Sequence, residues 1–144
     1  MIDSARHLTD VVGFWESLTP SRVRELHRFY CEDAYFRDPF NEVRGLTAIE
    51  HIFDDMFNRL DAPRFHVTDA VPGADCGFLL WDFTFRLRAW RPRTVRTIHG
   101  CTHLRFAPDG RVARHRDYWD AASELYVHLP LIGVLMRALR RRMA

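Results

Sequence analysis

The sequence has no lysine. All 21 basic residues are arginine, spread among 19 acids, and the formal charge is only +2. No basic block remains of the kind that follows a nucleic-acid backbone, so no nucleic-acid partner is expected. Cysteine is scarce: Cys31, Cys76 and Cys101 are an odd number without close spacing, with no CxxC pair, which argues against a disulfide framework and for a reducing compartment. Long apolar runs are missing too. No stretch approaches the roughly 18 apolar residues of a membrane span, and the opening "MIDSARHLTDVVGFW" has no basic segment followed by a long apolar run. A soluble, cytoplasmic protein is the expectation. There is no glycine-rich phosphate loop, no GxSxG and no HExxH, and no cofactor is expected.

What is present suits one ordinary domain. A chain of 144 residues that is 47% hydrophobic and 13% aromatic buries a core without metal or disulfide staples. The expectation is a single domain over 1–144, with a helical extension from about 121 to 144. Apolar positions from Leu8 to Tyr30 fall near helical spacing, and "TPS" at Thr19 to Ser21 breaks them into two helices. "AYFRDPF" reads as a short strand stopped by Pro39, and "NEVRG" as a turn. "LTAIEHIFDDMFNRL" is an amphipathic helix with Thr47 as its candidate cap. "RFHVTDAV", "GFLLWDFTFRLRAW", "TVRTIHGCTHLRF" and "RVARHRDYWD" then read as four strands, separated by "PGADC", "RPR" and the hairpin signal "PDG". Helices first and strands afterwards is an α+β pattern with an antiparallel sheet.

The "APDGR" hairpin assigns faces, because successive side chains alternate. It places Leu104 opposite His115, Thr102 opposite Asp117 and Gly100 opposite Trp119. One face then carries Ile98, Thr102, Leu104, His115, Asp117 and Trp119, joined by Trp81, Phe83, Phe85 and Leu87 if "RPR" closes a tight hairpin. The other carries His99, Cys101, His103, Arg114 and Arg116, with Asp82 expected across from His103. The first face is the buried one, which makes His115 and Asp117 anomalous. A buried carboxylate pairs, takes up a proton or lines a wet cavity. His115, Asp117 and Thr102 could simply satisfy one another at a sheet end. Asp38 raises the same question from another strand, where Phe36, Asp38 and Phe40 point one way. Three ionisable groups on one apolar concavity are a default site hypothesis. His99, Cys101 and His103 do not make a metal site, since i, i+2 side chains on a flat strand stand about 7 Å apart.

"SELYVHLPLIGVLMRALRRRMA" reads as a helix broken near Pro130, with a stripe of Leu131, Val134, Leu135, Ala138 and Leu139 and a basic tip of Arg137, Arg140, Arg141 and Arg142. A packed helix with a solvated tip is the expectation, the arginines suiting the helix dipole. Lying on an anionic membrane surface and docking on a second subunit are the alternatives.

"FYCEDAYFRDPF", followed by Gly45 and a helix, and "HLRFAPDGRVARHRDYWD" resemble the nuclear transport factor 2 superfamily, which includes SnoaL-like polyketide cyclases and ketosteroid isomerase. The resemblance covers about Leu8 to Asp120. It implies a cone-shaped α+β barrel, a curved antiparallel sheet wrapped round a long helix with an apolar pocket inside. By resemblance to ketosteroid isomerase, Asp38 takes the place of the proton-shuttling base. The places of its oxyanion-stabilising Tyr and Asp fall on Phe14 and Thr102, which departs from the isomerase. Together these readings give a binder of a small hydrophobic molecule, with isomerase, cyclase or hydratase chemistry from Asp38 as base and His115 and Asp117 as further acid/base groups. Phe14, Phe36, Phe40, Phe83, Phe85, Thr102 and Trp119 are the expected ligand contacts. The alternative is a non-catalytic binding or dimerisation module. The resemblance also implies a homodimer through the outer sheet face bearing Arg86, Arg114, Arg116 and His103.

Overall fold

The structure, a computed structural model, describes residues 2–144. Helix α1 (Ser4–Glu16) starts at Asp3, whose carboxylate accepts the Arg6 N–H at 3.1 Å, satisfying one of the unpaired donors of a helix start. Its buried residues Leu8, Val11 and Trp15 recur at helical spacing and form the inward stripe. The expected second helix is a 3₁₀ stretch, Arg22–Arg28. This winding covers more length per residue than an α-helix, which suits the short link from Pro20 to the first strand.

Strand β1 (Tyr30–Arg37) is followed by β2 (Glu42–Arg44), so "NEVRG" supplies a short strand as well as a turn. Helix α2 (Leu46–Arg59) has Gly45 at its N-cap with φ +99°, and no side chain caps it. That backbone angle suits glycine, and Thr47 is not the cap. Strands β3 (Leu60–Pro72), β4 (Cys76–Leu87), β5 (Arg96–Phe106) and β6 (Val112–Tyr118) are the four expected ones. A single sheet runs β2-β1-β6-β5-β4-β3. It is antiparallel except for β1 and β6, which pair in parallel and bring Phe36 beside His115. The fold class is the expected α+β cone, but β2 and β3 remain edges and the sheet does not close into a barrel. The core is packed from α1, α2 and the inner strand faces, with Leu26, Ile49, Leu104 and Val112 fully buried.

The β5–β6 register is the expected one: Leu104 faces His115 and Thr102 faces Asp117. The β4–β5 register is not. Residues 88–95 make a longer loop than "RPR" alone, so Asp82 lies across from His99, not His103. The displacement is even, and every side chain keeps its expected face.

The C-terminal segment is α3 (Ala121–Glu124), a 3₁₀ turn and α4 (Ile132–Met143). The expected packed stripe is not packed. Leu131, Val134 and Leu135 are 86%, 59% and 56% exposed, because α4 meets the body at its N-terminal end, through buried Gly133 and the turn before it.

Candidate active site

Between the concave sheet and α2 lies a cavity of about 490 Å³, walled by Trp15, Phe36, Phe53, Phe65, Trp81, Phe83, Phe85 and Trp119. A larger depression, about 920 Å³ beside Arg24, Glu50 and Asp54, is a polar surface groove. The aromatic walls follow from strand alternation: Trp81, Phe83 and Phe85 are buried on β4, while the residues between them face outward. Asp117 stands in this wall with its side chain 12% exposed.

A chain of hydrogen bonds converges on Asp117. Trp15 Nε1–H donates to the Tyr30 hydroxyl at 3.1 Å, and that hydroxyl lies 2.8 Å from His115 Nδ1. His115 Nε2 lies 2.7 Å from Asp117 Oδ1. From the other side, Trp81 Nε1–H donates to Thr102 Oγ1 at 2.7 Å, and Thr102 donates to the same Asp117 Oδ1 at 2.5 Å. Counting donors assigns the tautomer. The Tyr30 oxygen receives the indole hydrogen, so its own single hydrogen goes to Nδ1, and the imidazole hydrogen sits on Nε2 and points at Asp117. A second hydrogen on the ring would leave the buried phenol hydrogen without an acceptor. In this arrangement His115 accepts from Tyr30 at Nδ1 and donates to Asp117 from Nε2. Its ring is held in place, stacked on Trp15 at 4.9 Å and against Phe36 at 4.7 Å.

Tyr30 is fully buried, and that burial pushes its phenol well above the ordinary tyrosine value. The Trp15 N–H works against the rise and the nearby Asp117 charge adds to it. The phenol is thus a fixed donor to His115. Asp117 Oδ1 is occupied twice while Oδ2 accepts nothing from the described residues, and the residue lines the cavity.

Asp38 occupies a different position. Its Oδ1 accepts the backbone N–H of Phe40 at 2.7 Å and of Asn41 at 2.6 Å, and the Asn41 amide spans both oxygens. This side-chain turn reverses the chain after Pro39. Asp38 reaches the cavity only at its mouth, with Asn41 and Phe40. Phe40 is 53% exposed and meets Trp119 edge-on at 5.4 Å.

Phe36, Phe40, Phe83, Phe85 and Trp119 line the cavity as expected. Phe14 does not: it stacks on Phe29 at 4.5 Å with the Arg22 guanidinium over its ring, because its neighbour Trp15 takes the inward position on α1. Thr102 supports Asp117 from behind and is not among the lining residues of this cavity. Trp15, Tyr30 and Trp81 were legible as core but not as site residues. The available signal was chemical, since a buried phenol or indole N–H requires a partner. On the outer face His99 pairs with Asp82 and His103 stacks on Phe78 at 4.5 Å. Among the described residues no group of three His, Cys, Asp or Glu side chains could hold a metal ion.

A model of the SnoaL-like domain matches residues 11–115. No curated protein matches the sequence. Among solved structures, an LEH-like epoxide hydrolase from M. tuberculosis aligns with a TM-score of 0.71 at 13% identity, over 97% of this chain and 96% of that one. A protein from Shewanella denitrificans described as a SnoaL-like polyketide cyclase aligns at 0.67 and 18%, over 83% and 96%. A protein of ketosteroid isomerase-like fold from Catenulispora acidiphila, in complex with trimethylamine, aligns at 0.70 and 15%, over 85% and 91%. At these identities the likeness establishes the shared cone fold.

Proposed function

This chain belongs to the SnoaL-like domain family, and from that premise we propose that it binds a small hydrophobic molecule in the aromatic cavity, with Asp117 as general base. His115 is its positioning residue. The observation that carries the reading is the asymmetry of one carboxylate: Oδ1 is held by two donors while Oδ2, on an apolar wall, accepts from none of the described residues. A base fixed in this way removes a proton from water or from carbon without first reorganising its surroundings.

Of the reactions such a base serves, addition of water to an epoxide fits these walls best: Asp117 Oδ2 takes a proton from water, the water oxygen bonds a ring carbon as its C–O bond breaks, and the alkoxide takes a proton from solvent at the cavity mouth. Ring strain drives that opening, whereas enolate chemistry depends on donors for its developing oxyanion. Here the Trp15 and Trp81 N–H groups are committed to Tyr30 and Thr102, and Thr102 gives its hydrogen to Asp117. Hydrolysis of an epoxide is also the activity named for the M. tuberculosis protein of the same fold, which supports the reading.

The test compares the protein with its Asp117→Asn variant. An apolar fluorescent probe reports cavity binding, and proton NMR in D₂O follows an aryl epoxide and a cyclic enone. Diol or deuterated product from the parent protein, slowed at least about 100-fold in Asp117→Asn while the probe still binds, supports the assignment. Equal rates in the two proteins overturn the base. A bound probe with no product from either leaves a binding protein.

A further inference from the structure

We propose that α4 is a surface anchor that lies on an anionic lipid bilayer. The inference rests on α4 and is independent of the chemistry assigned to the cavity. Over Ile132–Met143 the helix contains Arg137, Arg140, Arg141 and Arg142 and no acidic residue. Leu131, Leu135 and Leu139 follow one another at i, i+4 spacing and are 86%, 56% and 43% exposed. A folded domain does not ordinarily present a leucine row beside an arginine cluster to water.

The charge pattern selects the occupant. Arg142 lies seven residues after Leu135 and so continues the leucine face. A protein covering that face would have to bury or pair the guanidinium, and a second copy of α4 brings the same arginines with no acid to answer them. A bilayer accommodates both groups: leucines enter the acyl boundary while arginine stems follow them and the charged heads reach lipid phosphates. The helix lies on the surface and does not cross it, since no helix among the described residues is long and apolar enough to span a membrane. Its root is tied to the cavity, with Leu125 on the wall and Tyr126 beside Phe40 at 6.3 Å. Seating α4 in lipid therefore holds the cavity mouth close to the bilayer.

The experiment is flotation of the full chain with phosphatidylglycerol–phosphatidylcholine vesicles and with phosphatidylcholine alone, at low and high salt. Two double variants accompany it: Leu135→Asp with Leu139→Asp, and Arg141→Glu with Arg142→Glu. Circular dichroism and thermal melts confirm their folding. The parent protein is expected to float with the anionic vesicles only and to be released by salt. Each variant is expected to partition at least about tenfold less with an unchanged melting midpoint. Absence of parent protein from the anionic lipid fraction overturns the proposal, as does undiminished flotation of the leucine variant. Sedimentation velocity without lipid decides the competing occupant: a parent dimer that the leucine variant dissociates, together with no flotation, assigns the face to a second copy.

Discussion

Thr102 and Asp117 face each other in register across β5 and β6, with hydroxyl and carboxylate oxygens 2.5 Å apart. Asp117 also receives His115 from two positions back on its own strand. One carboxylate oxygen is thereby fixed by both strands of a hairpin, and the second is left to the cavity. The consequences can be measured in parts of the molecule remote from any substrate.

Tyr30→Phe removes the acceptor of the Trp15 N–H and the donor to His115 Nδ1, both in the buried core. A loss of about 1–3 kcal/mol in urea unfolding is expected, larger than the average polar truncation because buried partners are stranded.

The same phenol carries a pH signature. Burial raises its folded pKa above the ordinary value of about 10, so the folded state holds this proton more tightly than the unfolded chain. The contribution is complete below about pH 10 and is lost as pH rises toward the folded value. Unfolding free energies measured up the alkaline limb should fall more steeply in the parent protein than in Tyr30→Phe. Parallel limbs would contradict the buried-phenol account.

Gly100 pairs with Trp81 across β4 and β5, and a Cβ at Gly100 would fall on the Trp81 ring. In Gly100→Ala the indole must move and its bond to Thr102 breaks. A loss of about 1–3 kcal/mol is expected, with a change in tryptophan fluorescence that an alanine at solvent-exposed Gly73 does not reproduce.

Asp38 and Asp117 separate by variant. Asp38→Ala removes the side-chain acceptor of two backbone N–H groups and is expected to cost about 1 kcal/mol of stability. Its effect on any proton-transfer rate should be well below that of Asp117→Asn. The reverse order of rate effects would return the base to Asp38.

The outer sheet face exposes Phe78 at 45% and Leu80 at 49%, beside His103 and the Arg116 guanidinium stacked on Tyr118. A homodimer through this face is expected. Sedimentation equilibrium should give a dimer for the parent protein and a folded monomer for Phe78→Glu with Leu80→Glu.

The inward parity of β4, β5 and β6 was legible because alternation is local, and so was the pairing of Thr102 with Asp117, because the "APDGR" loop is short enough to set a register. Asp38 shows where parity stops being informative: its strand ends at Arg37, and beyond that the carboxylate turned to its own backbone. The partner of Asp82 was misplaced for a related reason, since a loop of unknown length preserves faces while moving partners. α4 was read correctly as an amphipathic helix, but amphipathicity does not say what covers the apolar side.

The sequence by itself determined the α+β order, the aromatic inner face and the presence of His115 and Asp117 on it, since each depends on residues close along the chain. Tertiary structure decided which group is poised. Trp15 and Tyr30 reach His115 only because α1 lies across the sheet and β1 runs parallel to β6, and the direction of each hydrogen in that chain is set by which partners arrive.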